Sequence, residues 1–388
     1  RYNLSALSGR HIPPAATLNQ GVLMRLEPVS LADYEARARL VLPYNVWNEI
    51  ESGAMDEVAT ARNRTALNSL VLRPRLLRDV RERELTTSIL GTPISFPVFV
   101  CPAGGHKIAH PEGELDTARG AGKSGTIMVL STASNYSIEE VAAVATGPVW
   151  MQLNHRGRDL SEMLVRRAEE AGFKAICLTV DSPISVPQER SVKNRYDHPY
   201  ERANFRGMDV QTSASVNVTG NPFAWQPQVV PITWQEVEWL RSLTPLPLVL
   251  KGIRGPEDAL LAVEHGVDGL LVSNHGGRQV DMTLSSVETL PEIVATVAGR
   301  TELYLDSGIR RGSDVLKALA LGVRAVGIGR PLFWGLAVDG AEGVHGVLEV
   351  LRSELDRALA FCGQTSVSEV ESHIVGIPHD WGVTELDF

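Results

Sequence analysis

The chain has 388 residues, 44% of them hydrophobic and 21% charged, and a formal net charge of −9. That composition builds a globular protein with a sizeable core, and an acidic balance without a dense Lys/Arg tract excludes an electrostatic nucleic-acid footprint. The three cysteines, Cys101, Cys177 and Cys362, stand far apart with no C-x-x-C spacing. Neither a disulfide framework nor a zinc site is expected, and reduced thiols in a cytoplasmic setting are.

The opening segment, "RYNLSALSGRHIPPAATLNQ", has no apolar core of a signal peptide and no initiator Met, so the chain is expected to begin inside a longer gene product. No window reaches the ~18 uncharged apolar residues of a membrane span. Residues 1–96 carry two helical patterns, "SLADYEARARLVL" and "YNVWNEIESG", and one strand-like stretch, "LTTSILGTPIS". They read as a cap over the domain that follows, since no flexible linker separates them.

From residue 97 short apolar runs alternate with amphipathic helical stretches. The runs are "PVFVCPAG", "TIMVLS", "PVWMQL", "AICLTVD", "PLVLKG", "GLLVSNH", "ELYLDSG" and "AVGIGRP". Nearly continuous apolar character is the mark of parallel strands buried on both faces. Between them lie helices such as "DLSEMLVRRAEEAG" and "RGSDVLKALALG", and "SIEEV" opens with a capping box from Ser137 to Glu140. Eight β/α units predict a closed (β/α)₈ TIM barrel over residues 97–365 with a helical cap before it and a tail over 366–388. A doubly wound open sheet would expect G-x-G-x-x-G after the first strand, which "CPAGGHKIAH" lacks. Residues 182–232 form a long polar, Gly/Pro-containing loop after strand 4, at the face where barrel active sites lie, and read as a lid.

The strand ends sort the polar residues. Strand 4 ends in Asp181, strand 5 in Lys251, strand 6 in Ser273 and His275, strand 7 in Asp306 and strand 8 in Arg330. Taken singly, such an Asp is commonly a helix cap, such a Lys a solvated cation and such a His a structural donor. Their convergence on one barrel mouth is what points to chemistry. His275 oriented by Asp181 would be a competent base. Arg278 is a fork-shaped cation suited to a carboxylate, and Gly276 and Gly277 let the chain turn between the two. The loops "DSGIRRGSD" and "GIGRP" follow strands 7 and 8, the usual phosphate site of barrels. There Gly308 and Gly329 allow close approach, Arg310 and Arg330 bring charge, and the helix from Gly312 offers N–H groups.

The stretches "LVLKGI", "SNHGGRQVD", "DSGIRRGSDVLKALALG" and "VGIGRP", with "RNRTAL", "LRPRLLRDV", "TTSILGTPISFPVFVCPAG", "AHPEGE", "LTVDSP" and "KNRY", resemble the FMN-dependent α-hydroxy-acid oxidases and dehydrogenases over residues 30–365. The resemblance implies FMN as cofactor, a small-molecule substrate, oxygen or another electron acceptor, and a homotetramer; the acidic balance and the lack of an apolar span leave no nucleic-acid or membrane partner expected. It implies that His275 takes a proton while a hydride equivalent reaches flavin N5, that Asp181 stabilises the imidazolium, that Arg278 grips the substrate carboxylate and that Lys251 sits by flavin N1/O2. Ser131, Gln152, Thr179, Ser273 and the backbone at Ala103 would meet the flavin, Asp306 the ribityl chain, and Gly308, Arg310, Gly329 and Arg330 the phosphate. No metal is implied.

Three positions depart from the family's pattern. Glu49 stands where a carboxylate-binding Tyr is usual, Asn154 where a second Tyr is usual, and Gln188 or its neighbour where a substrate-facing Arg is usual. A less positive pocket predicts a larger or differently functionalised hydroxyl- or amine-bearing substrate, whose polar or cationic part meets Glu49. The alternative is an ordinary 2-hydroxy-acid oxidase yielding a 2-oxo acid and hydrogen peroxide. A remoter one is a phosphate-substrate lyase or isomerase using Lys251 as a Schiff base, which would need a depressed lysine pKa.

Overall fold

Each of the eight apolar runs contains a strand: β1 (Val98–Val100), β2 (Met128–Ser131), β3 (Val149–Leu153), β4 (Ile176–Thr179), β5 (Leu248–Ile253), β6 (Gly269–Val272), β7 (Glu302–Leu305) and β8 (Ala325–Ile328). In the computed structural model, which describes residues 27–184, 186, 188–208, 230–378 and 381, all eight pair in parallel and β8 closes on β1. Helices alternate with the strands and cover the sheet, as the sequence predicts for a (β/α)₈ barrel.

The pleat divides each strand between two cores. Residues such as Leu130, Met151, Leu178, Leu250 and Leu305 face outward and join one large cluster with the surrounding helices. Their neighbours Phe99, Val129, Trp150, Cys177, Val249, Leu271, Tyr304 and Ala325 face inward and fill the lower barrel. Phe99, Trp150 and Tyr304 meet there with ring centroids about 6 Å apart. Two residues further along β2–β5 the inward positions are Ser131, Gln152, Thr179 and Lys251, all buried. The barrel is therefore apolar below and polar above, and the polar layer is the floor of the mouth.

The stretch "LTTSILGTPIS" is a hairpin rather than one strand. Thr87–Ile89 pairs antiparallel with Thr92–Ile94 through a turn in which Leu90 and Gly91 both have positive φ, 47° and 75°, the geometry of a two-residue hairpin turn. Ile89 and Ile94 are buried against the lower layer and plug the barrel floor.

At the opposite end lie the cap helices α1 (Leu31–Val41), α2 (Tyr44–Glu51) and α3 (Val58–Ser69). Ser30 caps α1 by accepting from the Asp33 N–H. Val71–Leu72, just after α3, pairs with Val375–Gly376 and ties the cap segment to the C-terminal region. Within residues 182–232, the segment expected to be a lid, a short helix Glu189–Lys193 and a turn Ala203–Phe205 are described; residues 185, 187 and 209–229 lie outside the described residues, as do 1–26 of the cap segment and most of the tail after 378.

Candidate active site

The upper polar layer is built by neighbouring strands in register. Ser131 pairs with Gln152 across β2 and β3, and Thr179 with Lys251 across β4 and β5. The Ser131 hydroxyl donates to Gln152 Oε1 (3.0 Å), and Gln152 Nε2 donates to Thr179 Oγ1 (2.8 Å). The chain of bonds fixes the Gln152 amide, so this floor is preorganised.

Asp181 follows β4 and His275 follows β6, and the structure brings them together: His275 Nδ1 lies 2.9 and 3.1 Å from the two Asp181 oxygens. Lys251 Nζ lies 3.8 Å from Asp181 Oδ2 and 3.3 Å from His275 Nδ1. Because Nδ1–H is given to Asp181, the lysine contact is an electrostatic approach, and Nε2 is left for the cavity. Burial would raise the Asp181 carboxyl, but the charges of His275 and Lys251 and the hydrogen bonds from His275 and Ser182 hold it far below the ordinary aspartate value. Burial would likewise depress the Lys251 ammonium, yet the carboxylates of Asp181 and Asp306 raise it above the ordinary lysine value. A charged lysine is the wrong state for a Schiff-base nucleophile, so the geometry speaks against the lyase reading.

Local backbone makes this approach possible. β5 carries a register shift between Lys251 and Ile253, and Gly252 has φ +111°. A Cβ at Gly252 would fall 2.4 Å from the Asp181 Cβ, so glycine is the residue that admits the carboxylate. His275 itself has φ +57° at the start of a tight turn. Its N–H donates to Ser273 Oγ (3.0 Å), while Asn274 Oδ1 accepts from the Gly277 N–H (3.1 Å). Asn274 also exchanges amide bonds of 3.0 and 2.8 Å with Asn63 of α3, fastening the turn to the cap.

Arg278 lines the same cavity as His275. Its Nη2 donates to Glu49 Oε1 (2.9 Å), and its Nη1 donates to the carbonyls of Glu49 (2.7 Å) and Ser52 (2.9 Å). The other Glu49 oxygen accepts from the Ser191 hydroxyl of the lid helix. Glu49 therefore meets a cation of this chain, where the sequence left it free to receive a cationic part of a substrate. The Gln188 amide donates to the Arg278 carbonyl (3.1 Å), a backbone support. Asn154 is half-buried, its N–H donating to Thr132 Oγ1 (3.1 Å), and it does not line the cavity around His275.

The cavity, of about 200 Å³, runs from His275 and Lys251 past Ala103 and Asp306 to Gly308, Arg310, Gly329 and Arg330. Asp306 accepts from Ser307 Oγ (2.8 Å) and lies 3.5 Å from the Cys101 thiol. At the far end the helix Gly312–Ala320 departs from expectation. The N–H groups of Arg310 and Arg311 are taken by Asp314 and that of Gly312 by Glu354, so its N-terminus is closed to a phosphate by carboxylates of the chain. The open N-terminus belongs to the long helix Arg330–Phe361 after β8. There the N–H groups of Gly308, Ile309, Gly329 and Arg330 have no partner among the described residues. Arg310 donates to its neighbour's carbonyl and lies 4.7 Å from the centre of the Trp334 ring. Arg330 gives its donors to the carbonyls of Ile50, Gly276 and Ser52. Both guanidiniums are partly buried, and desolvation lowers their pKa values, that of Arg330 to about 10. Partly desolvated cations beside unpartnered N–H groups form a site for an anion.

Sequence reasoning missed Gly252, Asn63, Ser191 and Ser307, whose hydroxyl accepts from the Gly276 N–H (3.0 Å). Gly252 left a signal as a glycine inside a strand run, and Asn63 and Ser307 stand inside the stretches "RNRTAL" and "DSGIRRGSD", neither of which assigns them these partners. Ser191 acts from a segment far away in sequence.

A closed (β/α)₈ barrel with an anion site after strands 7 and 8, a polar floor and a His–Asp pair at its mouth defines a class of phosphate-anchored barrel enzymes with acid–base chemistry beside the anchor. The chain belongs to one family within it: the model for FMN-dependent dehydrogenases matches residues 38–376. It is 44% identical to L-lactate oxidase of Nostoc sp. over 89% of this chain and 97% of that protein. It is 43% identical to glycolate oxidase of Spinacia oleracea over 92% and 97%. Among solved structures, mandelate oxidase with (S)-2-phenylpropionate superposes with a TM-score of 0.82 at 40% identity, covering 90% of this chain and 98% of that one. The protein is thus an FMN-dependent oxidoreductase of the α-hydroxy-acid oxidase and dehydrogenase family. The residues present fit the cofactor, with the anion site for its phosphate and Lys251 beside the polar floor for its ring system.

Proposed function

We propose that this protein oxidises a C–H bond next to a hydroxyl, with His275 as base, on a substrate that differs from the small hydroxy acids named for its relatives. The observation that carries the reading is the His275–Asp181 pair at 2.9 Å, with Nε2 left to the cavity. Asp181 holds the tautomer and balances the charge that His275 gains when it accepts the substrate proton. Lys251 stays cationic beside the site and favours negative charge developing there. FMN, when bound, supplies the electron-pair acceptor; Ser131, Gln152, Thr179 and Ser273 would hold its ring, Asp306 its ribityl chain, and Gly308, Arg310, Gly329 and Arg330 its phosphate. The oxidised product leaves behind two electrons that oxygen or another acceptor must remove. The lactate, glycolate and mandelate relatives support a carbonyl product next to a carboxyl or related group. A cytoplasmic, homotetrameric protein is the reading that three buried free thiols and family likeness support.

The test is anaerobic bleaching of the flavin by a panel of alcohols, hydroxy acids and hydroxy amides, in wild type and His275→Ala. Loss of a general base should slow reduction by ~10²–10⁴. Equal rates in the two proteins would remove His275 from the reaction, and rapid bleaching by lactate, glycolate or mandelate would remove the unusual substrate.

A further inference from the structure

We propose that Glu49 is an internal carboxylate that occupies Arg278, and that this site therefore takes α-hydroxy compounds whose carboxyl is masked as an amide or ester. The inference rests on the oxidation reading above and narrows its substrate class.

Arg278 has five N–H donors in a fixed fork. One Nη2–H goes to Glu49 Oε1, and the two Nη1–H groups go to the carbonyls of Glu49 and Ser52, beside Ser52 Oγ at 3.2 Å. Three of the five donors are thus used, the Nε–H and one Nη2–H have no partner among the described residues, and the Glu49 carboxylate balances the charge. Glu49 lies in the last turn of α2, where the helix dipole is negative and the carbonyls are unpaired, and a guanidinium is the group such an end attracts. Glu49 is also not free to leave. Its second oxygen accepts from Ser191 Oγ on the lid helix, and the lid is fastened to the same end of α2 by Arg190. Arg190 donates to both oxygens of Glu57 (2.6 Å each), to the Glu51 carbonyl (3.0 Å) and to Asn48 Oδ1 (3.3 Å). Swinging Glu49 aside would break contacts of both cap and lid.

A free carboxylate arriving at Arg278 would thus be a second anion beside a neutral ion pair. The two like charges repel, and in a partly buried site that repulsion is weakly screened. Moreover, Asn154 and Gln188 bring no positive charge to offset the repulsion, and Gln188 is already turned to the Arg278 backbone. An uncharged carbonyl avoids the repulsion. Near Glu49 the Tyr196 hydroxyl is buried with no partner among the described residues, and burial together with the Glu49 charge raises its pKa, keeping the proton on. The reaction balances as R–CH(OH)–C(=O)X to R–C(=O)–C(=O)X with loss of two electrons and two protons, X being an amine or alkoxy group. One proton goes to His275; the electrons and the other proton go to the family's FMN.

The flavoprotein is tested in two arms, wild type against Glu49→Gln, which keeps the side-chain shape and the oxygen facing Arg278. In the first arm benzoate and oxalate, which cannot be oxidised, are titrated and followed by the flavin spectrum. Glu49→Gln should bind them at least about tenfold more tightly than wild type; equal affinities overturn the proposal whether or not any substrate is turned over. In the second arm mandelate, mandelamide and methyl mandelate, and the same three forms of lactate, reduce the flavin anaerobically. Wild type should favour amide or ester over acid by about tenfold or more in kcat/KM, and Glu49→Gln should shrink that ratio. Wild type that prefers the acids overturns the proposal without needing the variant. Tight carboxylate binding by Glu49→Gln with no bleaching by any compound leaves the Glu49 assignment standing and defeats the oxidation reading instead.

Discussion

Asp181 is buried at the tip of β4, and burial alone would drive its carboxyl toward the neutral form. It stays ionised because His275 and Lys251 stand against it, and they can do so because Gly252 leaves room. That makes Gly252 the residue on which the pair depends. In Gly252→Ala the new Cβ collides with Asp181 at 2.4 Å, and an L-residue is forced into φ +111°. The expected cost is ~1–3 kcal/mol in unfolding by denaturant, with flavin reduction slowed further than the stability loss explains. A variant that unfolds like wild type and reduces its flavin normally would show that the bulge relaxes freely. At this scale the sequence was most informative where strand tips are concerned. Asp181, Lys251 and His275 end apolar runs, so barrel topology alone makes them converge. Glu49 and Arg278 are separated by 229 positions and meet only because α2 folds back over the mouth, which no local pattern encodes.

The hairpin Thr87–Ile94 and the helix α2 close the barrel from opposite ends, and they do so by different physics. The hairpin is an apolar plug: Ile89 and Ile94 are almost wholly buried beneath the Phe99–Trp150–Tyr304 layer, remote from the polar floor. Truncating either to Ala should cost ~2–5 kcal/mol through lost burial and the cavity left behind. Rates of flavin reduction in the folded fraction should remain those of wild type. A variant with intact stability would mean that the floor collapses around the gap, and altered rates would mean that the plug reaches the site. By contrast, α2 buries Val46, Trp47 and Ile50 in the outer core and is also pinned at its end by polar contacts, with Arg278 and Arg330 on its last carbonyls and Trp334 Nε1 donating to Glu51 Oε1 (2.8 Å). The apolar runs of the eight strands were legible because parallel strands buried on both faces leave little polar alternation. The hairpin read as one strand because its turn, Leu90-Gly91, has an apolar first residue. The free helix N-terminus was assigned to Gly312 because sequence shows the glycine but not the carboxylates Asp314 and Glu354 that fill it.

Across the whole molecule many carboxylates are held ionised by partners. Hydrogen bonds from Arg167 lower Glu139 to about 2. For Glu57 and Glu288 burial acts upward, but bonds from Arg190 and Arg62 respectively outweigh it and both end below the ordinary value. Asp281 is likewise lowered despite burial, by the N–H groups of Ala59, Val58 and neighbours at the start of α3. A carboxyl depressed on folding contributes stability that is present above its unfolded pKa, about 4, and lost as pH falls through the folded value. Glu35 acts the other way, raised by burial and by Glu51, and is one group against several. Lys251, raised on folding, loses its contribution only on the alkaline side, above the ordinary lysine range. The urea midpoint should therefore fall steadily below about pH 4. Arg167→Ala supplies the internal control. Its deficit against wild type should be present at pH 7 and shrink as pH falls from about 4 through about 2, where Glu139 is protonated in the unfolded chain and half protonated in the folded one. A deficit that stays constant over that range would mean Arg167 acts through its packing and its bond to the Asn204 carbonyl (3.1 Å) instead of through the Glu139 charge.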